Sequence, residues 1–488
     1  MSSSLKNRYD AIVVGSGPNG LAAAIRLALE GLSVKIFEGE STIGGGTRTL
    51  ELTEPGFRHD ICSAIHPMAL SSPFFRQLPL ARYGLEWIHP PYPLAHPLDD
   101  APSVILHRDI QKMEEELGED FKVYLKLMNS LSTHWEGMSK DILSPLRIPS
   151  HPFQMAFFGL NALQSAENLA NRKFKKIPGR ALFGGLAAHS IMPLDKPATS
   201  AIGLVLGAAA HAAGWPLPRR GSQSIADALA GYFRQLGGEI ETGVKITHLE
   251  SLPDTTAILF DLTPKQVNKI VGDSFPDSYR KKLNRYRYGA GVFKIDYILS
   301  EPVPWRDSRC RQAGTVHLGG KIDEIIKSEK MIYQNRHPHK PYVLVAQQSL
   351  FDESRTPNDK HTLWAYCHVP NNSNRDMTQS IEGQIERFAP GFRDVIETRS
   401  KKTAQDLEVY NPNYIGGDIN GGIQDLKQLF SRPVSWLNPY ATPTKGIYFC
   451  SSSTPPGGGV HGMCGFHAAE SVLKKEFGLA KSEWQFHL

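Results

Sequence analysis

Cysteine is scarce. Five residues, Cys62, Cys310, Cys367, Cys450 and Cys464, are scattered through 488. None forms a CxxC pair or stands at ligand spacing from a histidine, so neither a disulfide framework nor a zinc site is expected, and no metal of any kind. Long hydrophobic runs are lacking too. The nearest approach, AIGLVLGAAAHAAGW over 201–215, contains His211 and runs into Pro216. It reads as a buried helix, and nothing is expected to span a bilayer. The opening residues MSSSLKNRYDAIVVG lead straight into an apolar strand and leave no room for a cleaved signal. An excess of one charge is also missing, the net charge being only +5. Basic clusters at RKFKK (172–176), YRKKLNRYR (279–287) and RSKK (399–402) read first as solvated faces. Attraction to an anionic membrane surface is the second reading. No nucleic-acid motif accompanies them. The expectation is a cytoplasmic protein, with peripheral membrane contact left open.

Length and glycine are what the chain has. At 488 residues it exceeds one compact core, so two or three domains are expected. A hydrophobic content of 41%, a charged content of 21% and 34 prolines describe a loop-rich globular enzyme. Tyr9 to Val14 is a short apolar run of the kind that forms a strand buried on both faces. Gly15, Gly17 and Gly20 follow at once in VVGSGPNGLAAA, then a small-residue helix stopped by Gly31, then a strand from Ser33 to Phe37 that ends at Glu38. Gly15 permits the tight turn, and Gly17 lets backbone N–H groups approach a pyrophosphate. Gly20, with Ala23 and Ala24, lets helix and strand pack closely. Ser16, Pro18 and Asn19 complete the loop, and the helix N-terminus brings partial positive charge to the phosphates. Glu38, 18 residues beyond Gly20, is placed to accept hydrogen bonds from ribose hydroxyls. An acid there favours FAD or NAD over NADP.

Directly after Glu38 comes GESTIGGGTRTLEL, a second glycine cluster followed by Thr47 and Arg48. An NAD domain has no use for such a loop, whereas an extended FAD passes its pyrophosphate-to-flavin half over this segment. Here the sequence resembles the FAD-dependent amine oxidase and phytoene desaturase superfamily. The resemblance implies that Gly45, Gly46, Thr47 and Arg48 line the pyrophosphate and approach the flavin ring. It continues through PRRGSQSIADALAGYFRQLGGEIETGVKITHL (218–249), where the family's residue in the place of Ile246 bonds adenine through its backbone. TTAILFDLTPKQV (255–267) resembles the strand that rejoins the sheet, without most of the β-hairpin that many relatives insert before it. GAGVFKIDYILS (289–300), GTVHLGG (314–320), HTLWAYCHVP (361–370) and IERFAPGF (385–392) are similar to the phytoene-dehydrogenase-like branch. The likeness covers essentially the whole chain and is looser between about 70 and 215.

Near the far end, Gly457, Gly459 and Gly462 again spell GxGxxG in SSSTPPGGGVHGMCGFHAAE (451–470). A flavin reductase using NAD(P)H would need such a second site. The acid expected ~20 residues after a true dinucleotide turn is missing, however. In the superfamily the last segment is a strand, a glycine-rich loop and a helix whose N-terminus faces the flavin pyrimidine. One dinucleotide gripped at both ends of the chain is therefore expected. The resemblance adds Gly459, Val460, His461, Gly462 and Met463 to the cofactor site, with N–H groups from Val460 to Met463 facing the flavin O2 edge. Ser451-Ser452-Ser453 stands where relatives often have Gly-x-Gly, and Ser452 is taken as a cofactor contact.

The fold implied is α/β: a Rossmann-like FAD-binding domain from 1–75, 218–263 and 438–488, and a discontinuous α+β substrate domain with a helical segment from 76–217 and 264–437. FAD is expected to be non-covalent, with Cys450 and Cys464 as small core residues. Two side chains are catalytic candidates. Lys294 sits in GAGVFK, and the amine oxidases that the sequence resembles have a similar G-x-x-x-K whose lysine reaches the flavin N5 edge through water; a solvated or ion-paired lysine is the alternative. His461 is a loop histidine able to titrate near neutral pH. Asp60, His66, His189 and His211 are weaker candidates. PFQMAFFGLNAL (152–163) and AIGLVLGAAAHAA (201–213) suggest an apolar substrate pocket. The leading function is an oxidoreductase that desaturates or saturates a hydrophobic small molecule by hydride transfer to or from FAD. A quinone or O2 would be the acceptor, since no second nucleotide domain is visible. The alternatives are a flavin amine oxidase, a non-redox carotenoid-type isomerase and a binding scaffold that keeps FAD as a structural element. Oligomeric state is left open.

Overall fold

The computed structural model describes residues 8–434 and 438–479. The ends of the outer segments assigned above, 1–7 and 480–488, lie outside the described residues.

Two sheets carry the fold. The first has five parallel strands in the order 447–449, 254–260, 8–14, 34–37, 239–241. Its central strand, Arg8–Val14, is buried from Ala11 to Val14, as its unbroken apolar run requires of a strand covered on both sides. One side is covered by helices Pro18–Ala28, Gln223–Gln235 and Met463–Glu476, which share a core containing Ile25, Leu229, Phe233 and Val472. On the other, Ile12, Val14, Phe37 and Phe260 meet Val267 and Phe275. Strands from three distant stretches thus form one layer, and their C-terminal ends open on the same edge.

The second sheet has seven strands in the order 396–402, 291–299, 361–369, 343–346, 313–318, 92–96, 104–106. All neighbours are antiparallel except 313–318 with 92–96. Strand Gly291–Leu299 shows why the sheet is a middle layer. Its odd residues Phe293, Ile295 and Tyr297 join a core with Ile381, Ile385 and Phe388 of helix Thr378–Phe388. Its even residues Val292, Lys294 and Asp296 face the opposite way. That opposite face packs Leu94, Leu344 and Trp364 against helices Phe121–Thr133, Ile177–Ala188 and Thr199–Ala212. The apolar run expected to be a buried helix is Thr199–Ala212, with Gly203–Val205 and Gly207–His211 buried. Among the described residues no helix is long and apolar enough to cross a membrane.

Candidate functional site

Between the open edge of the parallel sheet and the helix-facing side of the seven-stranded sheet lies a cavity of about 790 Å³, within the ~300–1,000 Å³ common for ligand sites. The end at the glycine loops is built from Gly15, Ser16, Gly17, Pro18 and Asn19, from Glu38, and from Gly45, Gly46, Thr47 and Arg48. Ile246, Asp261, Ser452, Gly459 and Val460 also line it. The structure therefore gathers into one cavity most of the residues read from sequence as cofactor contacts.

The local geometry suits a pyrophosphate. Helix Pro18–Ala28 begins at Gly17 with no side-chain cap; Pro18 has no N–H and the Gly20 N–H goes to Asp261, which leaves the Asn19 N–H at the helix N-terminus to serve an anion. Gly15 holds φ +101° over the backbone of Asp261, and a β-carbon on Gly17 would stand 2.6 Å from Asp261 Oδ2. Only a bare backbone fits, and this cradle with the Asn19 N–H fits a dinucleotide. Gly20 does not line the cavity. Its β-carbon would stand 2.2 Å from the Gly15 carbonyl, so its role is close packing beneath the loop.

Glu38 ties the two glycine loops together. One carboxylate oxygen accepts the Ser16 N–H (2.9 Å) and hydroxyl (2.5 Å), and the other accepts the Glu40 N–H (3.0 Å) and an Arg48 N–H (3.3 Å). Arg48 also donates from Nε and Nη2 to the Thr42 carbonyl at 3.1 and 2.7 Å. It buckles the second loop to the first while lining the cavity.

Asp261 escaped the sequence reading. It directly follows the strand Asp254–Phe260, lies under the glycine loop and accepts the Gly20 N–H at 2.9 Å. Burial, with Glu38 nearby adding to it, pushes its carboxyl up to about 8 against the amide bonds of Gly20 and Gly17. Near neutral pH the acid is held largely protonated, so it adds little negative charge under the phosphate cradle. An acidic residue at the tip of the strand beside the glycine turn was the available signal.

The C-terminal loop corrects the expectation for His461. Gly459 and Val460 line the cavity, but His461, Gly462 and Met463 do not. His461 is buried, and its Nδ1 accepts the Met463 N–H at 3.0 Å. Its own N–H donates to the Gly459 carbonyl at 3.2 Å, and its carbonyl accepts the Ser72 hydroxyl at 2.6 Å. Two of the N–H groups expected to face the flavin are thus spent on holding the turn. Burial lowers the ring to about 4, so it is neutral and orders the loop rather than titrating. Gly462, at φ +68°, packs against Phe75 and Ala22. In the serine run, Ser451 and Ser453 donate to the Leu262 and Gly421 carbonyls at 2.8 and 3.0 Å, while Ser452 lines the cavity.

Lys294 is ion-paired. It is buried behind the cavity wall, and its ammonium bonds Asp296 and lies 6.0 Å from the Trp364 ring centroid. The register explains this: Lys294 pairs with Tyr366 and Asp296 with Trp364 across adjacent strands, and both aromatics line the cavity. Burial lowers the lysine's affinity for its proton, with Asp296 opposing. Beside this pair, Asp60 and Arg355 meet at 2.9 Å and Arg355 and Asp352 at 3.0 Å, all fully buried. His59 Nδ1 lies 3.6 Å from Asp296. Of the weaker candidates, His211 bonds the Tyr124 hydroxyl at 2.7 Å away from the cavity. His66 lines it and shares a hydrogen with Ser222 Oγ at 2.8 Å. His189 lines it at the far end, where Leu206, Trp215, Thr315, Leu344 and Ala346 complete the wall. Among the described residues no cluster of three or more His, Cys, Asp or Glu side chains fits a metal ion.

Residues 13–78 match the NAD(P)-binding Rossmann-like domain family. Over 96% of the chain and 94% of the relative, the sequence is 24% identical to mouse pyridine nucleotide-disulfide oxidoreductase domain-containing protein 2. It is 24% identical to phytoene desaturase of Fusarium fujikuroi over 92% of the chain and 86% of that enzyme. In fold it matches wild-type putrescine oxidase bound to putrescine with a TM-score of 0.61 at 17% identity, over 96% of this chain and 99% of the other. The chain thus shares the fold of the putrescine oxidase structure, and over nearly its whole length it is similar in sequence to oxidoreductases, a desaturase among them.

Proposed function

We propose that the chain binds FAD non-covalently and uses it to desaturate or saturate a largely apolar substrate, with a quinone or O2 as the final acceptor. The observation that carries this reading is one continuous cavity. It runs from an uncapped phosphate cradle to a wall of Leu206, Trp215, Leu344, Ala346, Trp364 and Tyr366. FAD, when bound, supplies the two-electron chemistry. The bare backbone of the Gly15–Asn19 loop, with the Asn19 N–H, would hold its pyrophosphate, Glu38 its ribose, Ile246 its adenine, and Gly45 to Arg48 with Ser452, Gly459 and Val460 the bed of its ring system. The apolar wall excludes water from the reacting face. Lys294 keeps a positive charge fixed behind Trp364 and Tyr366. In this reading the first parallel sheet belongs to a nucleotide domain of 1–75, 218–263 and 438–488, and the second to the substrate domain.

An uncharged substrate is favoured over a protonated amine. The carboxylates that line the cavity, Glu38, Glu40 and Asp261, all sit at the nucleotide end, so an ammonium at the aromatic end would lack a lining counter-charge. The protein as purified is expected to be yellow and to release FAD on denaturation. Anaerobic screening of lipids, polyenes and amines for flavin bleaching tests the substrate class; bleaching by amines alone would overturn it. Glu38→Ala removes the acceptor for ribose and the tie between the glycine loops. FAD retention should weaken about 10- to 100-fold, the worth of a hydrogen bond to a charged group, measured by equilibrium dialysis. Unchanged affinity would displace the ribose site.

Peripheral membrane contact is proposed for helix Pro152–Ala162. Phe153 is 86% and Leu160 74% exposed, Ile148 just before the helix is 92% exposed, and Arg172, Lys173, Lys175 and Lys176 follow close by. Apolar side chains beside basic ones suit an anionic lipid surface. Flotation with phosphatidylserine vesicles should be lost in Phe153→Ser/Leu160→Ser, and equal flotation of both proteins would remove this contact.

A further inference from the structure

Three histidines, His317 and His96 buried and His189 partly so, lead from the substrate end of the cavity into the seven-stranded sheet. His189, at the C-terminus of helix Ile177–Ala188, lines the cavity with its ring against Trp215, centroids 5.8 Å apart. It lies deep in the fold yet keeps accessible surface, which it shows to the cavity. Its Nε2 stands 3.0 Å from Nε2 of His317, in the strand Ala313–Leu318. His96, in the next strand of the sheet, sends Nε2 to the Gly320 carbonyl at 2.8 Å. A β-carbon drawn on Gly185 would stand 2.9 Å from His96 Nδ1 and 3.0 Å from His317 Nδ1, so both nitrogens open on one gap above that backbone. Neither has a hydrogen-bond partner.

Burial holds all three rings neutral: His96 falls to about 4, His189 to about 3, and His317 lies well below its ordinary value. Each ring therefore carries one proton, and the carbonyl of Gly320 fixes where. A carbonyl only accepts, so His96 carries its hydrogen on Nε2 and presents a bare Nδ1 to the gap. His317 then has two choices. With hydrogen on Nε2 it would turn a second bare nitrogen to the same stretch of Gly185 backbone as the first, lone pair beside lone pair. With hydrogen on Nδ1 a donor stands on the side of the His96 acceptor, and His317 Nε2 accepts from His189 Nε2. That second arrangement leaves His189 Nδ1 bare. Among the described residues nothing bonds that nitrogen, and the Nε2 edge being turned to His317, the Nδ1 edge is the one left to the cavity.

We propose that His189 Nδ1 is the hydrogen-bond acceptor of the substrate end, and that it selects apolar molecules bearing a neutral donor, a hydroxyl or an un-ionised N–H. His317 and His96 act as positioning residues that set its tautomer. This rests on the reading of the cavity as the substrate site of a flavin oxidoreductase and narrows the substrate to an apolar molecule that carries one neutral hydrogen-bond donor, such as an alcohol. The aromatic and aliphatic wall around His189 takes the apolar body, and one lone pair takes the head.

The test compares 1-decanol with its methyl ether, which has the same oxygen but no donor hydrogen, by calorimetric titration of the protein as isolated. The alcohol is expected to bind about threefold to tenfold more tightly, the net worth of one hydrogen bond. Equal binding, tighter binding of the ether, or binding of neither overturns the proposal. In His189→Phe the two probes should bind alike. In His317→Phe, which frees the tautomer, the preference should shrink while both probes still bind. Should either variant fail to fold, 15N spectra of histidine-labelled wild-type protein decide: a bare Nδ1 and protonated Nε2 on His189 uphold the assignment, and a protonated Nδ1 overturns it. Neither measurement uses turnover, so release of no FAD on denaturation would sink the flavin reading alone.

Discussion

Lys294→Met should destabilise the protein by about 3–5 kcal/mol, the cost of leaving one member of a buried ion pair without the other. Asp296 would be that survivor. It is buried, its Oδ1 already has no hydrogen-bond partner, and the neighbouring His59 is held neutral by burial. Lys294→Met/Asp296→Leu replaces both charges with apolar groups of similar bulk and should recover most of the loss, because the desolvation penalty disappears together with the attraction. Urea denaturation of the two variants measures the difference. If both lose the same amount, the pair is not coupled. The comparison also bears on chemistry. The double variant removes the fixed positive charge behind Trp364 and Tyr366 at little cost in stability, so slower flavin reoxidation in a protein of restored stability would tie Lys294 to the electron-transfer face. Unchanged reoxidation would leave the lysine a structural counter-ion.

The nucleotide half was legible because each of its requirements is local. An apolar run, three glycines at fixed spacing, a small-residue helix and an acid at the end of the next strand all fall within Tyr9 to Glu38. The C-terminal loop misled for the same reason in reverse. Gly457, Gly459 and Gly462 repeat the spacing, yet His461 between them turns inward to accept the Met463 N–H, a contact no spacing announces. In HTLWAYCHVP the strand is apolar on both faces, so alternation alone did not tell whether Trp364 and Tyr366 or Leu363 and Ala365 face the cavity; the helices packed on one side decide. His189 stood out no more than His66 or His211 because its meaning comes from His317, 128 residues away in sequence. Asp261 was missed because one acid at a strand tip acquires its role only from the glycine loop folded over it.

Acid should unfold this protein early. The rings of His66, His96, His211 and His461 are lowered to about 4 and that of His189 to about 3, each chiefly by burial. In the unfolded chain the same rings take up protons near 6.5. Below that value the unfolded state binds more protons than the folded one, so stability present above pH 6.5 is lost as pH falls toward 4. Each ring costs about 1.4 kcal/mol per pH unit over that window. Asp261 works in the opposite direction. Its carboxyl is raised to about 8, so its contribution is complete below its unfolded value and is lost as pH rises toward 8, offsetting one histidine on the way down. The balance is about 5 kcal/mol per pH unit, against a total stability of about 5–15 kcal/mol for an ordinary domain. Melting temperature should therefore hold between pH 7 and 8 and fall steeply below 6.5, with unfolding at room temperature by about pH 5. A melting temperature unchanged from pH 7 to 5 would mean that the rings gain their protons in the folded state without penalty. In that case the close packing around His96 and His317, on which the tautomer order depends, is not what the protein has in solution.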